Sequence, residues 1–90
     1  MIEKIFKYEL RIADRQFVMM PKGAEILHVH EQNDAVCLWA LVNPSHANEE
    51  RCFEVYGTGH LIHSGMGVDR KYLGTAHCGV YVWHVFERTN

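Results

Sequence analysis

Apolar and polar residues alternate along most of the chain, and many of the apolar ones are β-branched or aromatic. A period of two places every second side chain on the same face of a strand, whereas the period near 3.6 that helices need is nearly absent. Gly, Pro and Asn interrupt the alternation at short intervals. The pattern predicts seven strands, over residues 2–10, 16–20, 24–32, 35–43, 51–56, 70–77 and 80–88.

Short strands joined by tight turns are typical of an all-β fold, either a small antiparallel β-sandwich or a partly closed barrel. Ninety residues build one hydrophobic core, so we expect residues 1–90 to form a single domain. Residues 57–69 contain four of the seven glycines and should be the longest connection. Residues 80–86 are apolar on both faces, which favours a position inside a sheet.

The segment AEILHVHEQNDAVCLWALVNP, residues 24–44, predicts a hairpin with a two-residue turn at Asn33-Asp34. Such a turn fixes the pairing of every residue in both arms. On the core face it predicts the pairs Val29–Leu38, Leu27–Ala40 and Glu25–Val42, and on the other face His30–Cys37, His28–Trp39 and Ile26–Leu41.

The second face of this hairpin is unusually apolar, because it carries Ile26, Cys37, Trp39 and Leu41. A contiguous patch of that kind is rarely left in water. Either a second sheet or a second subunit should cover it. Ninety residues supply strands for only a thin sandwich, so we expect a homo-oligomer in which identical subunits cover this face.

A closing hairpin is predicted around a turn at Cys78-Gly79. This turn would place Gly74 opposite Trp83, where the missing side chain leaves space for the indole. The same register pairs Tyr72 with Val85 and Ala76 with Tyr81 on that face, and Leu73 with His84 and Thr75 with Val82 on the other.

His28, His30 and Cys37 share one face of the first hairpin, and imidazole and thiolate are ligands that zinc prefers. The set has no evident fourth ligand, since Glu31 points to the opposite face. The alternative, which we favour, is that His28 packs against Trp39. We therefore expect no bound metal.

Charge and cysteine content exclude several classes of protein. Net charge is −2, with nine Lys and Arg scattered among eleven Asp and Glu, so there is no basic stripe for nucleic acid. The three cysteines, Cys37, Cys52 and Cys78, cannot all pair within one chain and form no CxxC motif, which favours reduced thiols. The N-terminus lacks the apolar region of a signal peptide, and no apolar run is long enough to cross a membrane. A cytoplasmic protein is expected.

The sequence Tyr56-Gly57-Thr58-Gly59-His60 concentrates small and polar groups after a strand. Glycines there allow backbone N–H groups to converge on an anion, but no Walker motif or dinucleotide fingerprint is present. A glycine-bearing bend at a strand end is the simpler interpretation.

Catalysis is not expected, because Cys78 and His77 point to opposite faces of a strand and no helix lowers the thiol pKa. No cofactor is implied.

The blocks EKIFKYEL, MPKGAEILHV, CLWALVNP, YGTGHLI, YLGTA and VWHVFE resemble a family of short proteins of unknown function from bacteriophages and prophages. The resemblance covers nearly the whole chain and is most specific over residues 37–44 and 56–62. It includes Trp39, the four residues Gly57 to His60, and His84. His28 and His30 fall where the family has small or amide side chains, which argues against a metal role.

The resemblance implies a setting, the cytoplasm of an infected bacterium, and no mechanism. We expect a non-catalytic binding protein that antagonises a bacterial defence or host system, by binding a host protein or by sequestering a small anionic signalling ligand. The candidate binding residues are Trp39, Tyr56, Gly57, Thr58, Gly59 and His60. The alternative is a structural or assembly component of a phage particle.

Overall fold

Two antiparallel sheets pack face to face in the computed structural model, which describes residues 2–90. The first sheet has the order β1-β4-β3 and the second the order β2-β5-β7-β6. No helix and no closed barrel occur among these residues, so the prediction of an all-β fold is confirmed in its sandwich form. The strands are β1 (Lys4–Leu10), β2 (Gln16–Pro21), β3 (Glu25–Gln32), β4 (Ala35–Val42), β5 (Asn48–Gly57), β6 (Arg70–Cys78) and β7 (Tyr81–Arg88).

The core lies between the inner faces of the two sheets. Alternate residues of β4 point inward, and Leu38 and Ala40 are completely buried. From the other sheet, Phe53 and Val85 meet them and are equally inaccessible to solvent. Burying a large apolar side chain stabilises the folded state by roughly 1.5–3 kcal/mol, so this inner layer supplies most of the driving force.

The β3–β4 hairpin has the predicted two-residue turn. Asn33 and Asp34 have φ of 54° and 62°, the pair of positive values that a type I′ turn requires. The predicted register is confirmed from the turn as far as the pair His28–Trp39. Beyond it the prediction is wrong, because a bulge at Leu27 inserts one extra residue into β3.

This bulge exchanges the faces of two side chains. Ile26 pairs with Ala40 instead of Leu41, and Glu25 pairs with Leu41 instead of Val42. Ile26 therefore turns inward and packs on the core, whereas Leu27 is 45% exposed.

The closing hairpin turns one residue later than predicted. Its central residues are Gly79 and Val80, and Gly79 has φ of 61°, as the first central residue of a type II′ turn requires. Every predicted pair in this hairpin is consequently shifted. The observed pairs include Ala76–Trp83, Thr75–His84 and Gly74–Val85, followed by a bulge at Leu73 that places Tyr72 opposite Phe86.

Gly74 faces the other sheet and not an indole. A Cβ atom on Gly74 would lie 2.9 Å from the Cβ of Val29 in β3, closer than side chains can approach. The glycine therefore allows β6 and β3, the neighbouring edges of the two sheets, to come into contact.

Strand β7 lies between β5 and β6, which confirms the interior position expected for it. The segment 58–69 joins β5 to β6 and is the longest connection among residues 2–90. Strand β5 begins at Asn48, three residues before the predicted strand, because its first residues pair with β2.

Candidate functional site

The long loop 58–69 and the outer face of the four-stranded sheet together enclose an open cavity of about 580 Å³. Residues 61–64 of the loop form one wall. Tyr56 and Glu54 of β5 form the floor, with Arg70 of β6 and Arg88 of β7 beside them. Asp14 and Arg15, just before β2, complete the rim.

Glu54 is the centre of this cavity and is 2% exposed. Arg70 donates to it from Nε at 2.7 Å and from Nη2 at 3.5 Å, and Arg88 Nη1 lies 3.6 Å from its Oε2. A buried carboxylate is costly unless it is paired and hydrogen-bonded, and two guanidinium groups meet that need. The hydrogen bond to Glu54 also raises the pKa of Arg70, so the guanidinium group stays charged at neutral pH.

Arg70 also holds the loop onto the sheet. Its Nη2 donates to the backbone carbonyl of His63 at 2.9 Å. At the start of the loop, Thr58 Oγ1 lies 2.7 Å from His84 Nε2, and His84 Nδ1 lies 3.2 Å from Thr75 Oγ1. Two side-chain contacts thus tie the loop to β6 and β7, one at its start and one at its middle.

Tyr56 brings an aromatic ring to the floor of the cavity. Its ring meets Phe86 edge-on with centroids 6.2 Å apart, and Phe86 meets Tyr72 in the same way at 5.5 Å. Burial raises the pKa of the Tyr56 phenol, and the nearby Glu54 carboxylate raises it further while Arg70 opposes them. Tyr56 is therefore a neutral hydrogen-bonding group at physiological pH.

The charge of the cavity is positive. Arg15, Arg70 and Arg88 face two carboxylates, those of Asp14 and Glu54, which leaves one guanidinium group in excess. Arg15 is the guanidinium outside the Glu54 cluster, and it lies 5.5 Å from the centre of the Phe17 ring on the exposed face of β2.

The sequence Gly57-Thr58-Gly59-His60 forms a tight turn with its own hydrogen bonds. His60 N donates to Gly57 O at 3.0 Å, and Gly59 at the third position has φ of +86°, as in a type II turn. In return, Gly57 N donates to His60 Nδ1 at 3.1 Å. A Cβ on Gly57 would lie 2.7 Å from this imidazole, so the glycine leaves room for the ring.

These hydrogen bonds occupy backbone N–H groups that an anion cradle, the alternative to a simple bend, would need. The N–H groups of Gly57 and His60 are engaged within the turn, and that of Thr58 donates to Val82 O at 3.2 Å. The turn instead borders a smaller cavity of about 170 Å³, where His60 meets the edge of Trp83 with centroids 6.1 Å apart.

The expected binding residues are therefore distributed over three places. Tyr56 lies in the cavity under loop 58–69, whereas Gly57, Thr58 and His60 line the smaller one of about 170 Å³. Trp39 is on the outer face of the three-stranded sheet and lines neither. It is partly buried there against His28, at 6.2 Å between ring centroids, in the packing that the sequence favoured.

The three side chains considered as zinc ligands, those of His28, His30 and Cys37, are neighbours on one face of the hairpin. His28 and His30 stack on one another at 5.7 Å. Cys37 is 2% exposed, and burial raises the pKa of its thiol. Within residues 2–90, no three His, Cys, Asp or Glu side chains are grouped so that they could share a metal ion. The three cysteines are free.

Sequence reasoning missed the charged residues of the cavity under loop 58–69. Arg15, Glu54, Arg70 and Arg88 are far apart along the chain, and only the sheet order brings them together. A signal was present in Glu54, a carboxylate between Phe53 and Val55 in an otherwise apolar run. Such a residue indicates either an exposed face or a buried ion pair.

Comparison with known proteins places the chain in a family without indicating an activity. No curated protein and no solved structure matches it. No helix in the described part of the chain has the length and apolarity to cross a membrane. A family model described as "Domain of unknown function (DUF7352)" matches residues 1–90, and the chain therefore belongs to that family.

Proposed function

We propose that this protein acts by binding, without catalysis, and that its ligand is a small anion with a planar or apolar part. The observation that carries the proposal is the cavity under loop 58–69, where guanidinium groups and an aromatic floor meet. Ligand sites commonly combine a largely apolar lining with a few convergent polar groups.

The guanidinium groups support an anionic ligand. Glu54 fixes the orientation of Arg70 through two hydrogen bonds, so little side-chain entropy remains to be lost when a ligand binds. Arg70 makes its described contacts through Nε and Nη2, which leaves Nη1 to donate to an incoming oxygen. Arg15 adds a second donor group at the rim.

The loop supports a ligand with an apolar part. Leu61 and Ile62 line the cavity, and Leu61 is 94% exposed, which leaves nearly all of its apolar surface available for contact. A ligand in the cavity would cover that side chain from below while its charged group met the arginines. A nucleotide or a related phosphate-bearing signalling molecule has both features.

The biological setting is part of the same proposal. Sequestering an anionic signalling molecule would allow a phage protein to silence a bacterial defence that depends on that molecule. The resemblance of the sequence blocks to phage and prophage proteins supports this setting, and the family description leaves the function open.

Release of a bound molecule tests the proposal directly. The protein would be purified from phage-infected and uninfected bacteria, washed, denatured by heat, and the supernatant examined by mass spectrometry for small anions. We expect one phosphate- or carboxylate-bearing species in the infected sample, at up to one molecule per chain. Its absence from both samples would contradict sequestration.

Arg15→Ala provides the matched variant, because Arg15 lies outside the ion-pair cluster of Glu54. Loss of one charge-assisted hydrogen bond costs about 1.5–3 kcal/mol, which corresponds to about tenfold or more in affinity. Arg11→Ala is the control, since Arg11 is also exposed but does not line the cavity. Calorimetric titration with the released molecule should show weaker binding for the first variant alone.

A host protein is the second candidate partner, and the exposed tip of the loop favours it. Met66 has no protection from solvent and Leu61 almost none, and neither packs on the core. Affinity capture from host lysate would then yield a stoichiometric protein that Met66→Ser releases and Arg15→Ala retains. Met66 does not line the cavity, so Met66→Ser should leave a small ligand bound. The opposite response of these two variants distinguishes the two partners.

A further inference from the structure

The sandwich has four edge strands, and three of them carry features that discourage pairing with another chain. Strand β1 has lysines at positions 4 and 7, and β3 and β6 each contain a bulge, at Leu27 and Leu73. Charged side chains and bulges are the usual protection of an exposed edge.

Strand β2 is protected only at its end, by Pro21, which has no N–H group. Its sequence, QFVMMP, is uncharged and its pairing with β5 is regular over all six residues. Phe17 and Met19 point to the outer face, and each is 54% exposed.

The direction of the free backbone groups in β2 follows from its ladder. Lys22 N donates to Ala47 O at 2.8 Å, so residues 22 and 47 are a hydrogen-bonded pair. In an antiparallel ladder such pairs alternate, which directs the backbone of Gln16, Val18 and Met20 toward β5. The N–H and C=O groups of Phe17 and Met19 consequently point outward, and Pro21, which has no N–H, occupies the next outward position.

We infer that β2 is a homodimer interface, at which it pairs antiparallel with β2 of a second copy to join the two four-stranded sheets. With Val18 on the two-fold axis, Phe17 is opposite the partner's Met19, and both residues have outward backbone groups, as a hydrogen-bonded pair requires. By symmetry, Met19 is opposite the partner's Phe17.

Side-chain faces agree with this register, and no charge opposes it, because all six residues of β2 are uncharged. On the outer face, Phe17 and Met19 of both copies form one apolar row, in which each side chain packs beside the partner's across the joined edge. A second copy is thus complementary to this edge in hydrogen bonding and in its apolar side chains.

This interface differs from the one expected from the sequence, which was centred on Trp39. The bulge in β3 exchanges Ile26 for Leu27 on that surface, and Cys37 is already covered within the chain. Trp39 itself is partly buried against His28, whereas Phe17 and Met19 of β2 are each 54% exposed on a strand with free backbone groups.

Amide hydrogen exchange followed by NMR tests the interface residue by residue. In a concentrated sample we expect the amides of Phe17 and Met19 to exchange slowly, and in a dilute sample to exchange freely. Val18 and Met20 are the internal control, because their amides face β5 and stay protected in both samples. Analytical ultracentrifugation of the concentrated sample should give twice the chain mass of 10.4 kDa.

Substitutions complete the test. Met19→Lys places a charge at the edge and should abolish the dimer at tens of micromolar, whereas Ile5→Lys, at a similarly exposed position on β1, should leave it intact. A monomer at that concentration would overturn the inference. So would a dimer in which the Phe17 and Met19 amides exchange freely, or one that Trp39→Glu disrupts and Met19→Lys does not.

Discussion

Replacing Gly74 by alanine should destabilise the sandwich, although the same substitution is often stabilising elsewhere. The new Cβ would lie 2.9 Å from Val29 Cβ, 3.4 Å from its Cγ2 and 3.8 Å from its Cα. These neighbours belong to a buried strand residue that is 4% exposed and has no flexible end to move aside. The two sheets must separate locally, and overpacking of this kind typically costs about 1–3 kcal/mol.

The same substitution also has a stabilising effect, which is smaller than the cost of overpacking. Alanine has less freedom than glycine in the unfolded chain, which favours folding by about 0.4–1 kcal/mol where the backbone allows it. We therefore expect a net loss of about 1–2 kcal/mol from these two effects. For a domain of this size, each kcal/mol lowers the melting temperature by about 4–8 °C.

Thermal unfolding followed by circular dichroism measures the effect, with Gly65→Ala as the control. A Cβ on Gly65 meets nothing within 4 Å, so this variant should be as stable as the original protein or slightly more stable. Adding Val29→Ala to Gly74→Ala should not restore stability, because the overlapping atom of Val29 is Cβ itself. A Gly74→Ala protein that melts at or above the original temperature would refute the close contact between the sheets.

Three further predictions concern single side chains. His60→Ala removes the acceptor of the Gly57 N–H group and should lower the free energy of unfolding, measured by chemical denaturation, by about 1 kcal/mol. His60→Asn, whose side-chain oxygen can accept the same bond, should recover part of this loss. Glu54→Gln leaves Arg70 without its carboxylate and should lower the free energy of unfolding by about 3 kcal/mol. This is the lower end of the range for a broken buried ion pair, because the arginines are partly exposed. Equal stability of the variant and the original protein would contradict the ion-pair cluster. Cys37 should react with iodoacetamide more slowly than an exposed thiol and only at higher pH, because burial raises its thiol pKa. Peptide mapping that finds Cys37 modified first would show that it is not buried.

Local pattern and turn chemistry were sufficient to predict the strands. The positive φ values at Asn33 and Asp34 are what an Asn-Asp turn between alternating strands indicates, and the pairing near that turn followed correctly. The register failed at Leu27 because a bulge shifts a strand by one residue without leaving a mark in the alternation. The predicted register of the closing hairpin was wrong because Gly79 was placed second in its turn, although a type II′ turn has glycine at the first central position.

The candidate site was less predictable because its parts come from distant strands. Tyr56 was identified from a local motif, whereas Arg15 and Arg88 reach the same cavity only through the order β2-β5-β7-β6. Alternation indicates which face a residue occupies but not which strand lies beside it. A sequence motif such as Gly57 to His60 can also be conspicuous for an internal reason, here the turn that its imidazole closes.

Strand order also sets how quickly the chain can reach this structure. Of the five strand pairings among residues 2–90, β3–β4 and β6–β7 join neighbours through two-residue turns, whereas β1–β4, β2–β5 and β5–β7 join distant segments. Distant pairings require loop closure before any contact compensates for it, and domains dominated by them refold in milliseconds to seconds. The two hairpins should form first, and β5 stays half-paired until β7 docks. During synthesis, β5 therefore has an open edge until β7 has left the ribosome, and chaperones would meet the protein in that state.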